Sequence, residues 1–158
     1  MSERQQHFHL HTLGCHKNQV DSDKIAGTLL DEGLVSTNDV ASADLVVVNT
    51  CAFIEEAREE AINAVLALEQ ERMPGARIVV TGCMAERYGE ELAEALPEVD
   101  SVAGFGVPVN LTRKPPGLSV VAEAPVPKFD LLNLRRPASD LPWAYVKIAE
   151  GCDRKCGF

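Results

Sequence analysis

The sequence predicts an α/β domain, an open parallel sheet with helices on its faces, and three observations lead there. Apolar strand-like runs alternate with amphipathic runs along residues 7–97. Three successive units share one plan: a strand, a short polar or glycine step, a cysteine, then a helix. The links are short, which implies right-handed βαβ crossovers and a parallel sheet. With 158 residues, 46% hydrophobic and 25% charged, the composition is that of an ordinary globular chain and excludes wholesale disorder. A core of this size needs no disulfide staples.

In the first unit His7-Phe8-His9-Leu10-His11-Thr12-Leu13 alternates as a strand does, and Gly14-Cys15 follows. Val20-Asp21-Ser22-Asp23 offers short polar side chains as a helix start. Ile25, Ala26, Leu29 and Leu30 give that helix an apolar face, and Gly33 suits its C-terminal stop. In the second unit Leu45-Val46-Val47-Val48 is a continuous run of the kind buried on both faces of a parallel sheet. Asn49-Thr50-Cys51 ends it. A helix then places Ile54, Ala57, Ala61, Val65 and Leu68 on one side, with Glu55, Glu56, Glu59 and Glu60 near its positive end. Met73-Pro74-Gly75 closes that unit.

In the third unit Ile78-Val79-Val80 leads to Thr81-Gly82-Cys83 and a helix with Ala85, Tyr88, Leu92 and Leu96 inward, closed by Pro97. Ser101-Val102-Ala103-Gly104-Phe105 suits a further short strand. From about Arg113 the texture changes, and seven of the nine prolines fall between Pro108 and Pro142. Residues 113–141 read as an extended connector with a short strand at Leu118-Ser119-Val120-Val121. Trp143-Ala144-Tyr145-Val146-Lys147-Ile148 is expected to be a new strand. The expected domains are therefore 1–112, 113–141 and 142–158. The chain ends two residues past Cys156, as if inside a longer protein.

No charged-then-apolar leader opens the chain, and its apolar runs fall far short of the ~20 residues that cross a bilayer. The expectation is a cytoplasmic protein with reduced thiols, in which cysteines serve metals or catalysis more than bridges. The net charge of −9 is uneven. Residues 1–112 hold 7 Lys and Arg against 19 Asp and Glu, a net −12, whereas 113–158 hold 8 against 5, a net +3. So acidic a region repels phosphate backbones and favours basic partners, unless the charge only solubilises the surface.

Cys15, Cys51 and Cys83 each follow a strand and precede a helix. In a parallel sheet these ends share the edge where open α/β sheets bind ligands. Helix N-termini favour the anionic thiolate, the form that binds metal. Gly14 and Gly82 let backbone approach a bulky ligand. Three converging thiolates suit an iron–sulfur cluster with one iron left open; zinc with a fourth ligand such as His16 competes. The plain alternative is three buried cysteines acting as small apolar side chains. A stand-alone zinc or iron–sulfur module and a thiol redox protein are the other function classes. Cys152 and Cys156, with three residues between them, read as a second ligand set, though zinc sites more often use a tighter spacing, and a third ligand is expected past the chain end.

Other motifs say less. His7, His9 and His11 share one strand face, which reads as a solvated face or strand edge before a metal set. Asn18, Asp21 and Asp23 either line the site beside Cys15 or cap a helix. Gly104-Phe105-Gly106 lacks the full dinucleotide fingerprint, and no phosphate loop, nucleophile elbow or zinc-protease helix occurs.

Four ordered motifs resemble those of the radical-SAM methylthiotransferases. They are Leu13-Gly14-Cys15-His16-Lys17-Asn18-Gln19-Val20-Asp21-Ser22-Asp23, Asn49-Thr50-Cys51-Ala52-Phe53-Ile54, Thr81-Gly82-Cys83-Met84-Ala85-Glu86-Arg87-Tyr88 and Ala144-Tyr145-Val146-Lys147-Ile148-Ala149-Glu150-Gly151-Cys152. Lys17-Asn18, Val20-Asp21-Ser22 and Arg87-Tyr88 are most similar to the branch acting on a ribosomal protein. His16, Asp23 and Ala52 depart from that branch, where proline, glutamate and often glycine stand.

The resemblance implies the family's N-terminal α/β domain, followed by the first strand of a truncated radical-SAM (β/α) barrel. It implies an auxiliary 4Fe-4S cluster on Cys15, Cys51 and Cys83, and a second 4Fe-4S cluster on Cys152, Cys156 and a cysteine past the end. The second cluster would reductively cleave S-adenosylmethionine to a radical that abstracts hydrogen from carbon, using an external electron donor. The auxiliary cluster would supply sulfur, methylated by a second S-adenosylmethionine. The implied substrate is an aspartate β-carbon of the twelfth small-subunit ribosomal protein, a basic partner that suits the acidic domain. The branch acting on tRNA adenosine is the alternative, disfavoured by that charge. No further catalytic residue is assigned, and this chain alone is expected to be inactive.

Overall fold

The computed structural model describes residues 4–104, 107, 109, 119–121 and 134–148. Its strands are β1 (His7–Thr12), β2 (Val35–Ser36), β3 (Leu45–Thr50), β4 (Arg77–Gly82), β5 (Ser101–Ala103) and β6 (Ser119–Val121). Its helices are α1 (His16–Asp31), α2 (Glu55–Glu71) and α3 (Cys83–Ala95), with a 3-10 turn at Val40–Ser42. All strands pair in parallel, in the order β2-β1-β3-β4-β5-β6. The predicted open parallel sheet with flanking helices is what forms.

β3 is buried along its whole length, as its β-branched run requires. Its alternate side chains go to opposite faces. Val46 and Val48 join Ile78, Val80, Val102, Ala61, Val65, Leu68 and Leu92 in one apolar cluster. Leu45 and Val47 join Phe8, Val79, Ala103 and Leu29 in a second. So α2 and α3 cover one face and α1 the other. The strand order reverses between β1, which leads to β2, and β3, which leads to β4. That switch point is where open α/β sheets place ligands, beyond the carboxyl ends of the strands.

α1 ends as expected. Gly33 takes φ 90°, its N–H bonds the Leu30 carbonyl at 3.0 Å, and the Leu34 N–H bonds that of Leu29 at 3.0 Å. This is the Schellman arrangement that a glycine permits. The start of α1 differs from expectation. Cys15 itself occupies the N-cap in an extended conformation without a side-chain cap, so the helix begins four residues before Val20. Asp21, Ser22 and Asp23 engage other elements instead and leave the cap position to backbone. Ile54 and Leu30 also sit exposed rather than on the buried helix faces.

β5 and β6 match the two expected short strands, and β6 falls within the stretch expected as connector. Trp143–Ile148 forms no strand, which corrects the expectation. Its alternation is real, but its neighbour is the side of α1, which offers no backbone ladder. We call residues 134–148 the strap. Across it, Lys147 Nζ donates to both Asp21 oxygens at 2.8 and 3.0 Å. Arg136 pairs with Asp23 at 2.5 Å, and the Arg135 carbonyl lies where a side chain on Gly27 would stand, 2.3 Å from an added Cβ. Among the described residues no helix is long and apolar enough to cross a membrane.

Candidate metal centre

The three cysteines sit on one edge because the sheet registers their strands. Thr12 pairs with Asn49 and Asn49 with Thr81. Thr50 pairs with Gly82, so Cys51 and Cys83 each follow directly paired residues. Cys15 is exposed and Cys51 and Cys83 are half-buried, and none of the three is in a disulfide. Cys15 caps α1 and Cys83 is the first residue of α3, so both stand at positive helix ends.

The cysteine loops also interlock. Gly14 has φ 91°, and a Cβ there would meet Cys51 Cβ at 2.7 Å and Cys51 Sγ at 3.1 Å. Gly82, at φ 93° and ψ −163°, takes a conformation open essentially to glycine alone. A Cβ there would lie 2.3 Å from Asn49 Oδ1 and 2.5 Å from the Thr50 carbonyl. Both glycines allow close approach to a neighbouring strand end, where the sequence suggested approach to a ligand.

A buried polar network ties this edge to α1. Asn18 Nδ2 donates to the carbonyls of Leu13 at 2.8 Å and Thr50 at 3.0 Å. Cys83 Sγ donates to Asn18 Oδ1 at 3.8 Å. Asn49 Nδ2 donates to the Asn18 carbonyl at 2.9 Å and to Ser22 Oγ at 3.0 Å. Thr12 Oγ1 donates to Ser22 Oγ at 2.6 Å, and Thr50 Oγ1 to the Thr81 carbonyl at 2.6 Å. Asn49 Oδ1 is buried with no hydrogen-bond partner among the described residues. Of the residues flagged beside Cys15, Asn18 lines the site, while Asp21 and Asp23 hold the strap. Ser22, Asn49, Thr50 and Arg136 acquire their roles only from tertiary contacts. For Asn49 and Thr50 the one signal in the sequence is a polar end to an apolar strand run.

His16 is turned to the strap. Its ring stacks on Tyr145 at 4.0 Å and 18°, with Nε2 3.1 Å from the phenol oxygen. Among the described residues no three His, Cys, Asp or Glu side chains stand close enough to grip one metal ion. A zinc ion with bonds of about 2.3 Å draws its thiolates to within about 4 Å of one another. A cluster takes each thiolate on a different iron and spreads them. All three donors are cysteine, at one edge and each on a separate loop, the donor type that both zinc and iron–sulfur clusters take.

Among the described residues His7, His9 and His11 do not assemble a ligand set with the cysteines. His9 Nδ1 lies 3.1 Å from the Thr37 carbonyl, and its ring stacks with His11 at 6.3 Å. Burial holds the His11 pKa below its ordinary 6.5, with His9 adding to the shift and Glu60 opposing it. Beyond Cys51 and Cys83, Arg58 donates to the Tyr88 hydroxyl at 2.7 Å and Arg87 lies over the Tyr88 ring. Cys152 and Cys156 lie outside the described residues.

The model of the uncharacterized protein family UPF0004 matches residues 7–104. The chain is 44% identical to the ribosomal protein uS12 methylthiotransferase RimO of Desulfosudis oleivorans, over 95% of this chain and 36% of that protein. It is 42% identical to the protein of that name from Anaeromyxobacter sp. (strain K), over 95% of this chain and 33% of that one. For the Helicobacter pylori (strain G27) protein of that name the figures are 39%, 93% and 33%. The chain thus spans about a third of the length of these curated relatives.

Proposed function

The chain belongs to the UPF0004 family, and from that premise we propose that it is the N-terminal part of a radical-SAM methylthiotransferase acting on ribosomal protein uS12. The observation that carries this reading is the interlock of the Cys15, Cys51 and Cys83 loops at the switch point of the sheet. In this reading the three thiolates hold an auxiliary 4Fe-4S cluster. Cys152 and Cys156 hold two irons of a second, with the third ligand in the remainder of the protein. Residues 1–112 form the cluster domain, 113–141 connect, and 142–158 begin the barrel. S-adenosylmethionine and an external electron donor complete the system, in the cytoplasm.

When bound, the auxiliary group supplies the sulfur chemistry. The chain's own residues position it. The sheet fixes the spacing of the strand ends, Gly14 and Gly82 bring the cysteine backbones together, and Asn18 ties their loops. The net −12 over residues 1–112 favours a basic protein substrate over tRNA.

Anaerobic reconstitution of this chain with iron and sulfide tests the site. Roughly four irons are expected, lost in Cys51→Ala. Stoichiometric zinc without iron uptake overturns the cluster. The full-length enzyme, given uS12 and tRNA in parallel, tests the substrate, and methylthiolated tRNA beside unmodified uS12 refutes it. The 158-residue chain is expected to yield no 5′-deoxyadenosine from S-adenosylmethionine under reducing conditions. Product detection there contradicts the assignment of Cys152 and Cys156 to an incomplete set.

A further inference from the structure

We propose that Asn18 is the positioning residue that holds the three cysteine loops in one frame for a shared ligand, an inference that rests on the cluster reading. Asn18 is 1% exposed. Its two amide protons go to different loops, one to Leu13 before Cys15 and one to Thr50 before Cys51. Its amide oxygen accepts from the Cys83 thiol. Its backbone N–H donates to the Cys15 carbonyl at 2.9 Å, and its carbonyl accepts from Asn49. One side chain thus touches the Cys83 thiol and the strand ends that lead to Cys15 and Cys51.

The chemistry selects this residue type. Two donors and an acceptor on one rigid plane belong only to a carboxamide. Aspartate keeps the acceptor but loses both donors and sets a charge against two carbonyls. Serine keeps one donor. Glutamine is a methylene too long where an added Gly14 Cβ already comes within 3.2 Å of Nδ2. Helix capping does not account for Asn18, because Cys15 is the cap residue and makes no side-chain cap bond. A thiolate has no proton to donate, so ligation of Cys83 ends the third contact. The two carbonyl ties remain and keep the loops together.

The test compares the reconstituted 158-residue chain with Asn18→Asp, Asn18→Ser and Asn18→Ala, all anaerobic. Leu68→Ala, a core cut on the opposite face of the sheet, controls for lost stability. Iron release to a chelator is expected to be about tenfold faster in Asn18→Asp and Asn18→Ala, with Asn18→Ser between and Leu68→Ala at the wild-type rate. In the metal-free chain, iodoacetamide labelling followed by mass spectrometry is expected to speed up at Cys51 and Cys83 in the Asn18 variants. Cys15, already exposed, is expected to change little. Folded variants with wild-type release and wild-type labelling overturn the proposal, as does equal acceleration in Leu68→Ala. If the wild-type chain takes up no iron, the cluster reading fails and labelling alone decides the role of Asn18.

Discussion

On the face covered by α2 and α3, Val46, Val48, Ile78 and Val80 meet Ala61, Val65, Leu68 and Leu92, all of them aliphatic. On the face covered by α1, Phe8, Leu45 and Val47 meet Leu29. Toward the carboxyl ends that same face changes to Thr12, Asn49, Ser22 and Asn18, joined by hydrogen bonds. Apolar contacts are interchangeable and non-directional, so the first face contributes stability. Buried hydrogen bonds are directional and costly to break, so the second fixes geometry. The cysteine loops lie at the end where directional bonds dominate. One sheet thus separates holding together from holding in place.

That separation is open to direct test. The largest effect is expected from Ile78→Ala, a cavity on the aliphatic face, at about 2–5 kcal/mol of stability in denaturant titration. Its iron content after reconstitution should stay at the wild-type level, and a loss of iron in the folded variant breaks the division. Lys147→Met is expected to weaken strap docking by about 1.5–3 kcal/mol, the range for hydrogen bonds to charged groups. Lys147 is 4% exposed at its side chain and faces Asp21, so little water screens the pair. Limited proteolysis within residues 134–148 reports undocking. The unfolding midpoint of the sheet should not move, and a shift there joins the strap to the core.

The smallest effect concerns His11. Burial disfavours its charged form and lowers its folded pKa below the ordinary 6.5. The stability this residue allows is fully present above 6.5 and is lost as pH falls from 6.5 through the lowered native value. Below 6.5 the unfolded chain takes up the proton first. Unfolding measured between about pH 7.5 and about pH 5.5 should show a shallower loss of stability in His11→Gln than in the wild type. An unchanged slope assigns the pH dependence elsewhere.

Much of this was legible because the signals were local. The β-branched runs named the buried strands, Gly33 named the end of α1, and three cysteines after three strands named the edge. The features that stayed hidden depended on distant partners. Asp21, Ser22 and Asp23 have the residue types of a helix cap, yet Asp21 and Asp23 meet Lys147 and Arg136, 126 and 113 positions along. Trp143–Ile148 alternates as a strand does, with Tyr145 and Lys147 on α1 while Val146 and Ile148 stay 78% and 88% exposed. Alternation reports a chain with two sides; it does not report whether the neighbour is a strand or a helix.

Gly27 carries a consequence for how the strap is held. A glycine inside a helix costs about 1 kcal/mol against alanine, and at this position it makes room for the Arg135 carbonyl. Asp23, Gly27 and Asp31 recur every fourth residue along α1, and Arg136, Arg135 and Pro137 lie over them. That stripe exists only once the helix has wound, since an unwound chain scatters its three positions. The contacts of the strap therefore require the wound helix. Through Lys147 and Asp21 the strap is thereby held by the same helix that follows the first cysteine loop.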